Sequence, residues 1–377
     1  MKDVYITKVS KYLPNSPVDN DSMESRLGVV GGKASKARRI VLRNNKIVNR
    51  YYAIDDHGNV TDSNAGLAKK AIEGLFDENF SADDIALLSA GTSSADQSLP
   101  SHAAMVHGEL GGSNMEINSP TGACCSGMNA MKYAYMAIKA NEVPNAVAVA
   151  SERVSGWLRG DLYEDDVAHL STLEENPMLA FNKDFLRWML SDGAGALLLE
   201  SEPKGDLNFK IEWMDGYSFA NELEACMYSG SEKNEDGSLT SWNEIPTSDW
   251  TKKSVFALKQ DTRILGSNIL VKGVESMVRS LEKHNMTVED IDFFLPHISS
   301  YYFKDKLYAE LKERGVEVSW DKWFMNLDQV GNVGSVSVYL MIEGLMATGK
   351  LKKGQKIWLI VPESSRFSYF NALLTVC

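Results

Sequence analysis

The chain carries an echo of itself. Ser81-Ala82-Asp83-Asp84-Ile85 runs into apolar Ala86-Leu87-Leu88 and then Thr92-Ser93-Ser94. At an offset of 206 residues, Thr287-Val288-Glu289-Asp290-Ile291 leads into Phe293-Phe294-Leu295 and then Ile298-Ser299-Ser300. Each copy reads as a helix N-cap with an acidic first turn, a buried strand, and a polar loop at the strand's end. The same offset sets Cys125 against Gly331, which precedes Asn332 in a second small-residue corner. It also sets the chain start against Leu207, just past the turn-forming cluster 202–206. A duplicated α/β unit accounts for all three coincidences and predicts halves of 1–205 and 206–377. Short apolar runs at 146–150, 195–199 and 357–361 have the pattern of strands buried on both faces. Helices alternating with such strands imply a layered α/β architecture. Two polar stretches, 161–183 and 230–253, interrupt the pattern and read as insertions or long loops.

Charge and cysteine usage narrow the function classes. A formal net charge of −12 argues against a general nucleic-acid binder. No run approaches the roughly 20 apolar residues of a membrane span, and the first residues have no apolar core of signal-peptide length. Four cysteines without regular spacing fit neither a disulfide framework nor a zinc site, so a reducing, cytoplasmic setting is expected. One segment opposes the acidic balance: Lys33, Lys36, Arg38, Arg39, Arg43, Lys46 and Arg50 fall together with no acidic residue among them. Such a segment is either a solvated basic surface or a site for a phosphate or an acidic partner.

Cys125 lies in Gly122-Ala123-Cys124-Cys125-Ser126-Gly127, between an extended segment at 115–118 and a helical run expected from Met128. A cysteine at a strand-to-helix corner meets unpaired N–H groups and the positive end of the helix dipole, which favour thiolate. The same position also suits a buried structural cysteine. Among six histidines, His57 and His169 lie in turn-like or polar stretches, and His102, His107 and His284 on or beside helices. His297 alone follows an apolar strand, at the carboxyl end where α/β folds concentrate their chemistry. Cys125, His297 and Asn332 could therefore converge where the halves meet. Cys, His and Asn together suit acyl transfer to the thiol, followed by carbon–carbon bond formation. Two neutral donors then stabilise the enolate of a second thioester.

Ala123-Cys124-Cys125-Ser126-Gly127, Pro296-His297 and Gly331-Asn332-Val333-Gly334-Ser335 resemble the three active-site motifs of the β-ketoacyl-acyl-carrier-protein synthase III family of the thiolase superfamily. Asp192-Gly193-Ala194-Gly195-Ala196 resembles a further family stretch, and the likeness runs in order along the chain. The resemblance implies a duplicated thiolase-like fold, five-layered αβαβα, with two pseudo-two-fold related halves, as a homodimer. It makes Cys125 the acylated nucleophile, His297 and Asn332 the enolate-stabilising pair, and Cys124 a packing residue. It implies no metal and no resident cofactor, with substrates carried as coenzyme A or acyl-carrier-protein phosphopantetheine thioesters. Arg39, Arg43, Asn268, Ser335 and Glu363 are expected on the substrate-binding side, with Asn268 in a Leu265-Gly266-Ser267-Asn268 corner that aligns with a family loop near the pantetheine arm. Glu363 and Glu152 fit either a base for a β-ketoacyl carbon or a loop cap paired with Arg366 or Arg153.

Two departures from the family pattern stand out. Pro362-Glu363-Ser364-Ser365-Arg366-Phe367 replaces a glycine-rich stretch, and Arg39 replaces a tryptophan that stacks on the coenzyme A adenine, although Arg43 matches a family arginine. These favour carrier-protein delivery and resemble the branch that joins two fatty acyl thioesters into cyclohexanediones and dialkylresorcinols. The alternatives are acyl transfer to oxygen, nitrogen or water, which needs no enolate, and a non-condensing partner subunit, which needs no nucleophile.

Overall fold

The computed structural model describes residues 2–30, 35, 38–160 and 186–377. Lys33, Lys36, His169 and the 161–183 stretch lie outside the described residues. The first five strands of the central sheet are β1 Tyr5–Tyr12, β2 Leu87–Gly91, β3 Glu116–Asn118, β4 Asn145–Glu152 and β5 Gly193–Glu200. The other four are β6 Phe209–Ser218, β7 Phe293–Pro296, β8 Lys356–Glu363 and β9 Ser368–Val376. They form one nine-stranded sheet in the order β7-β8-β9-β6-β1-β5-β4-β2-β3.

Reading outward from the middle, the pattern repeats. β1 pairs antiparallel with β5, β5 antiparallel with β4, and β4 parallel with β2. β6 pairs antiparallel with β9, β9 antiparallel with β8, and β8 parallel with β7. Tyr5↔Lys210 and Ile6↔Phe209 join the two sets. The sequence echo falls on matching elements, because β2 and β7 start at Leu87 and Phe293 and follow the same capping device. Asp84 Oδ2 accepts from Ser81 N and Oγ, and Asp290 Oδ2 accepts from Thr287 N and Oγ1.

Among the described residues, seven helices reach eight residues: α1 Arg38–Asn45, α2 Asn64–Glu73, α3 His102–Leu110, α4 Cys125–Lys139, α5 Thr262–Lys283, α6 Lys304–Glu313 and α7 Ser337–Ala347. Strand alternation assigns the layers. Ala146, Ala148 and Ala150 of β4 face a core with α4 and α7, joined there by Ile357, Leu359 and Val361 of β8. The opposite face of β4, Val147 and Val149, packs under α2 and α3. Trp358 and Ile360 of β8 pack under α5 and α6. The order is thus helix, sheet, helix, sheet, helix, with α4 and α7 in the middle. Met128, Met131 and Ile138, at helical spacing on α4, are fully buried there and contribute about 1.5–3 kcal/mol each.

Several local expectations change. α4 starts at Cys125 rather than Met128, since Ser126 bonds back to Ala123 O through N (3.0 Å) and Oγ (2.8 Å) and closes a turn earlier. The Leu265-Gly266-Ser267-Asn268 segment is no corner. It lies in the first turns of α5, whose N-cap Asp261 accepts from Arg263 N and Ile264 N. Arg50 is not a surface cation: it is fully buried, and its Nη2 donates to Trp188 O at 2.8 Å. The 230–253 stretch holds a hairpin pairing Ser231–Lys233 with Leu239–Ser241. Among the described residues, no helix is long and apolar enough to cross a membrane.

Candidate active site

A cavity of about 310 Å³ opens where the two halves meet. Its walls are largely apolar, with Val154, Leu190, Leu265, Ile269 and Phe303 among them. His297 and Asn332 lie on this wall, with Gly122, Ala123 and Cys124 from the turn before α4.

Each polar residue is placed by its own backbone. His297 leaves the end of β7, and its N–H donates to Ile360 O at 2.8 Å, continuing the β7–β8 ladder one residue further. The residue is 4% exposed, and burial lowers its pKa to about 4. The imidazole is therefore neutral near pH 7 and carries a single N–H donor. Asn332 belongs to the second half but is pinned to the first, donating from N to Met189 O and accepting at O from Ser191 N, both at 2.9 Å. Gly334 N donates to Asn332 Oδ1 at 3.1 Å, which holds the amide oxygen and leaves Nδ2 as the available donor. Gly331 makes this corner possible, because its φ is +73 and any Cβ there would stand 2.8 Å from Ser191 Cβ.

Cys125 is the first residue of α4 and is 2% exposed. Its thiol does not reach the cavity wall. Sγ donates to Val361 O at 3.4 Å and Ser368 O at 3.6 Å, on β8 and β9. Cys124 holds the wall position, where only packing was expected. The lowered thiol pKa expected from a helix N-terminus is also reversed. Burial, then the Glu363 carboxylate, then Cys124 push the Cys125 thiol well above its ordinary value.

Glu363 adds to that reversal, after burial. It is 7% exposed, and its Oε2 accepts from Ala123 N and Cys125 N, both at 3.0 Å. The unpaired N–H groups credited to the thiol are thus held by a carboxylate. Ser365 Oγ donates to the other oxygen at 2.5 Å. Glu363 therefore neither pairs with Arg366 nor lines the cavity.

Glu152 ends β4 as Glu363 ends β8. Fully buried, it accepts from Ser93 Oγ (2.7 Å), Ser94 Oγ (2.6 Å) and Ser335 Oγ (2.6 Å), and from Ser93 N and Ser335 N. Burial raises its pKa against these bonds. Arg153 pairs instead with Asp96 at 3.0 Å. Ser335 is consequently a partner of Glu152 behind the wall, not a substrate contact. The corners carrying Cys125 and Asn332 touch at Gly127, where a Cβ would run into Ser335 O.

The remaining binding expectations fall outside the cavity. Arg39 and Arg43 are exposed on α1, and Asn268 spends its Nδ2 on Ile264 O within α5, at 2.9 Å. Unexpected wall residues are Pro362, Ser364 and Ser365, which flank Glu363, with Gln260 Nε2 donating to Ser364 Oγ at 3.0 Å. Their signal in the sequence was the non-glycine stretch itself. Among the described residues, no group of three or more His, Cys, Asp or Glu is arranged to hold a metal ion.

Two family models match along the chain: the β-ketoacyl synthase N-terminal domain over residues 65–204, and the 3-oxoacyl-acyl-carrier-protein synthase III C-terminal domain over residues 281–361. The chain belongs to the β-ketoacyl-acyl-carrier-protein synthase III family. The family member from Clostridium perfringens is 24% identical over 363 residues, covering 96% of this chain and 95% of the relative. The solved tetronic acid condensing enzyme AbyA1 is similar in fold, with TM-score 0.73, 18% identity, and coverage of 98% and 99%. OleA of Xanthomonas campestris, solved with lauric acid and lauroyl-CoA, gives TM-score 0.72, 20% identity and 99% coverage of both chains. The chain is accordingly a condensing enzyme of the synthase III type, with the thiolase-like fold. Neither transfer to oxygen, nitrogen or water nor a non-condensing partner role is favoured by this company.

Proposed function

We propose that this synthase loads an acyl group onto Cys125 and condenses it with a second thioester, whose enolate oxygen is held by His297 and Asn332. The observation that carries this reading is the meeting of His297 and Asn332, from separate elements of the second half, on one apolar cavity beside the start of α4. Both are neutral donors, so they hold a developing enolate without the repulsion a carboxylate would bring. Each such donor is worth about 3–4 kcal/mol at the transition state. The halves 1–205 and 206–377 supply the thiol and the donor pair respectively.

The apolar lining suits fatty acyl chains, delivered as acyl-carrier-protein or coenzyme A thioesters, with no metal or resident cofactor in the step. Exposed Arg39 and Arg43 provide a basic face for an acidic carrier. A cytoplasmic homodimer belongs to the same reading. The Pro362–Phe367 replacement supports the branch that joins a β-ketoacyl thioester to a second acyl chain and closes a cyclohexanedione or dialkylresorcinol ring. Asn268, Ser335 and Glu363 have no direct substrate contact in this scheme.

Intact-mass measurement after incubation with acyl thioesters tests the core of it. An acyl mass gain is expected in the wild type and none in Cys125→Ala. Asn332→Ala is expected to load but not to condense, and normal condensation by that variant would remove the enolate role. Product masses from paired acyl and β-ketoacyl thioesters test the branch.

A further inference from the structure

The N–H of Cys125 has two claimants. In acyl transfer, the carbonyl oxygen becomes an oxyanion as sulfur attacks, and the nucleophile's own N–H at a helix start is a natural donor to it. In this structure Glu363 Oε2 already holds that N–H, together with Ala123 N, both at 3.0 Å. Two anionic oxygens cannot occupy the same donor at that distance. Nor is the thiol presented: it is buried and directed to Val361 O and Ser368 O, which bracket the Glu363 turn.

Glu363 also differs from Glu152 in how firmly it is held. Glu152 is fixed by four hydroxyls and two N–H groups. Glu363 has two backbone N–H groups and Ser365 Oγ, and among the described residues it forms no ion pair. Its neighbours Pro362, Ser364 and Ser365 border the cavity, so a substrate arriving there meets the segment that carries it.

We infer that Glu363 is a positioning residue that occupies the acyl-oxygen donor at Cys125 in the resting enzyme and must give it up when Cys125 is acylated. The inference rests on Cys125 being the nucleophile. The step itself is a thioester exchange. The Cys125 Sγ–C bond forms, the bond from the carbonyl carbon to the carrier sulfur breaks, and the thiol proton leaves on the carrier thiol. Glu363 takes no part in the covalent change. It sets how often the donor and the thiol are available together, so an incoming acyl thioester has to displace a carboxylate and an unloaded enzyme keeps its thiol quiet.

Glu363→Gln tests this, because glutamine keeps an oxygen that can accept from both N–H groups but lacks the charge. Single-turnover loading from octanoyl-coenzyme A, followed by intact mass, is expected to be about tenfold faster, since charge-assisted hydrogen bonds are roughly twice as strong as neutral ones. The midpoint of the pH profile for iodoacetamide alkylation of Cys125 is expected to fall by about one unit or more as the like charge goes. The titratable groups facing this thiol are Glu363, Cys124 and Tyr369. A purely structural cap would leave both readouts at wild type, because Gln still caps, and either one staying there overturns the inference. Glu363→Ala, checked by thermal melting, is expected to load at least as fast as Gln, and slower loading in a folded protein overturns it equally. Tandem mass spectrometry of the loaded peptide separates the two levels of argument. An adduct on Cys124 sinks the nucleophile assignment itself, whereas an adduct on Cys125 at an unchanged rate sinks only the role of Glu363.

Discussion

Glu152 and Glu363 hold the same address in the two halves, the last residue of the strand that pairs parallel with β2 or β7. Each reaches across to the other half's corner. Glu152 takes Ser335 N, ahead of α7, and Glu363 takes Cys125 N, at the head of α4. Their surroundings differ. Glu152 is enclosed by serines, whereas Glu363 is flanked by the cavity-wall residues Pro362 and Ser364. Duplication therefore provided two interlocking carboxylates, of which one became a fastening between halves and the other stands at the head of α4, on the N–H of the proposed nucleophile.

The largest effect should come from the fastening. Glu152→Ala strands the N–H and hydroxyl groups of Ser93 and Ser335 in a buried space and should cost about 3 kcal/mol or more in denaturant unfolding. Glu363→Ala should cost about 1–2 kcal/mol, since fewer groups lose a partner: the N–H groups of Ala123 and Cys125 and the Ser365 hydroxyl. Equal losses would break the comparison.

Acid sharpens the contrast on the cavity side. An unfolded histidine takes up its proton near pH 6.5, while folded His297 holds off until about 4. Between these values the unfolded state binds more protons, so stability falls as pH drops through the window. The loss is about 3 kcal/mol, fully absent above pH 6.5. His102, also held at about 4 by burial, contributes in the same direction. His297→Asn should lose the part of this acid sensitivity that belongs to position 297, measured as the difference between the two unfolding curves across pH 4–7. A difference that does not change with pH would mean that the ring is not buried as described.

Gly127→Ala probes both carboxylates together, since its methyl group would meet the Ser335 carbonyl and part the two corners. Overpacking of this kind costs about 1–3 kcal/mol, and condensation should fall further than loading. The smallest effect on the fold belongs to Arg39→Ala with Arg43→Ala. The melting temperature should stay at wild type, while KM for a carrier-protein donor rises several-fold.

How much of this was legible depended on whether a feature was local. The capped turns at Ser81 and Thr287 and the strands that follow are written in contiguous residues, so the repeat and the layered fold were readable. So was His297, because a strand end is a local event. Arg50 looked like one more cation in a basic run, and only tertiary packing against Trp188 buries it. Gly266-Ser267-Asn268 looked like a turn, but the Asp261 cap and the apolar spacing of Leu265 and Ile269 override three weak helix formers. The reach of Glu363 to Cys125 N joins residues 238 apart in the chain, and no local pattern encodes it.

The strand order also sets a timetable for synthesis. In each half the first strand pairs with the last, β1 with β5 and β6 with β9. Tyr5 waits for Glu200 before it has a partner, on the order of 10–40 s at typical ribosomal rates of about 5–20 residues per second. The second half waits for β9, whose Val376 pairs with Phe209. Until it emerges, β6 and β8 lack the strand that lies between them, and the nascent chain depends on chaperones or on speed to keep two long apolar edges from finding other company.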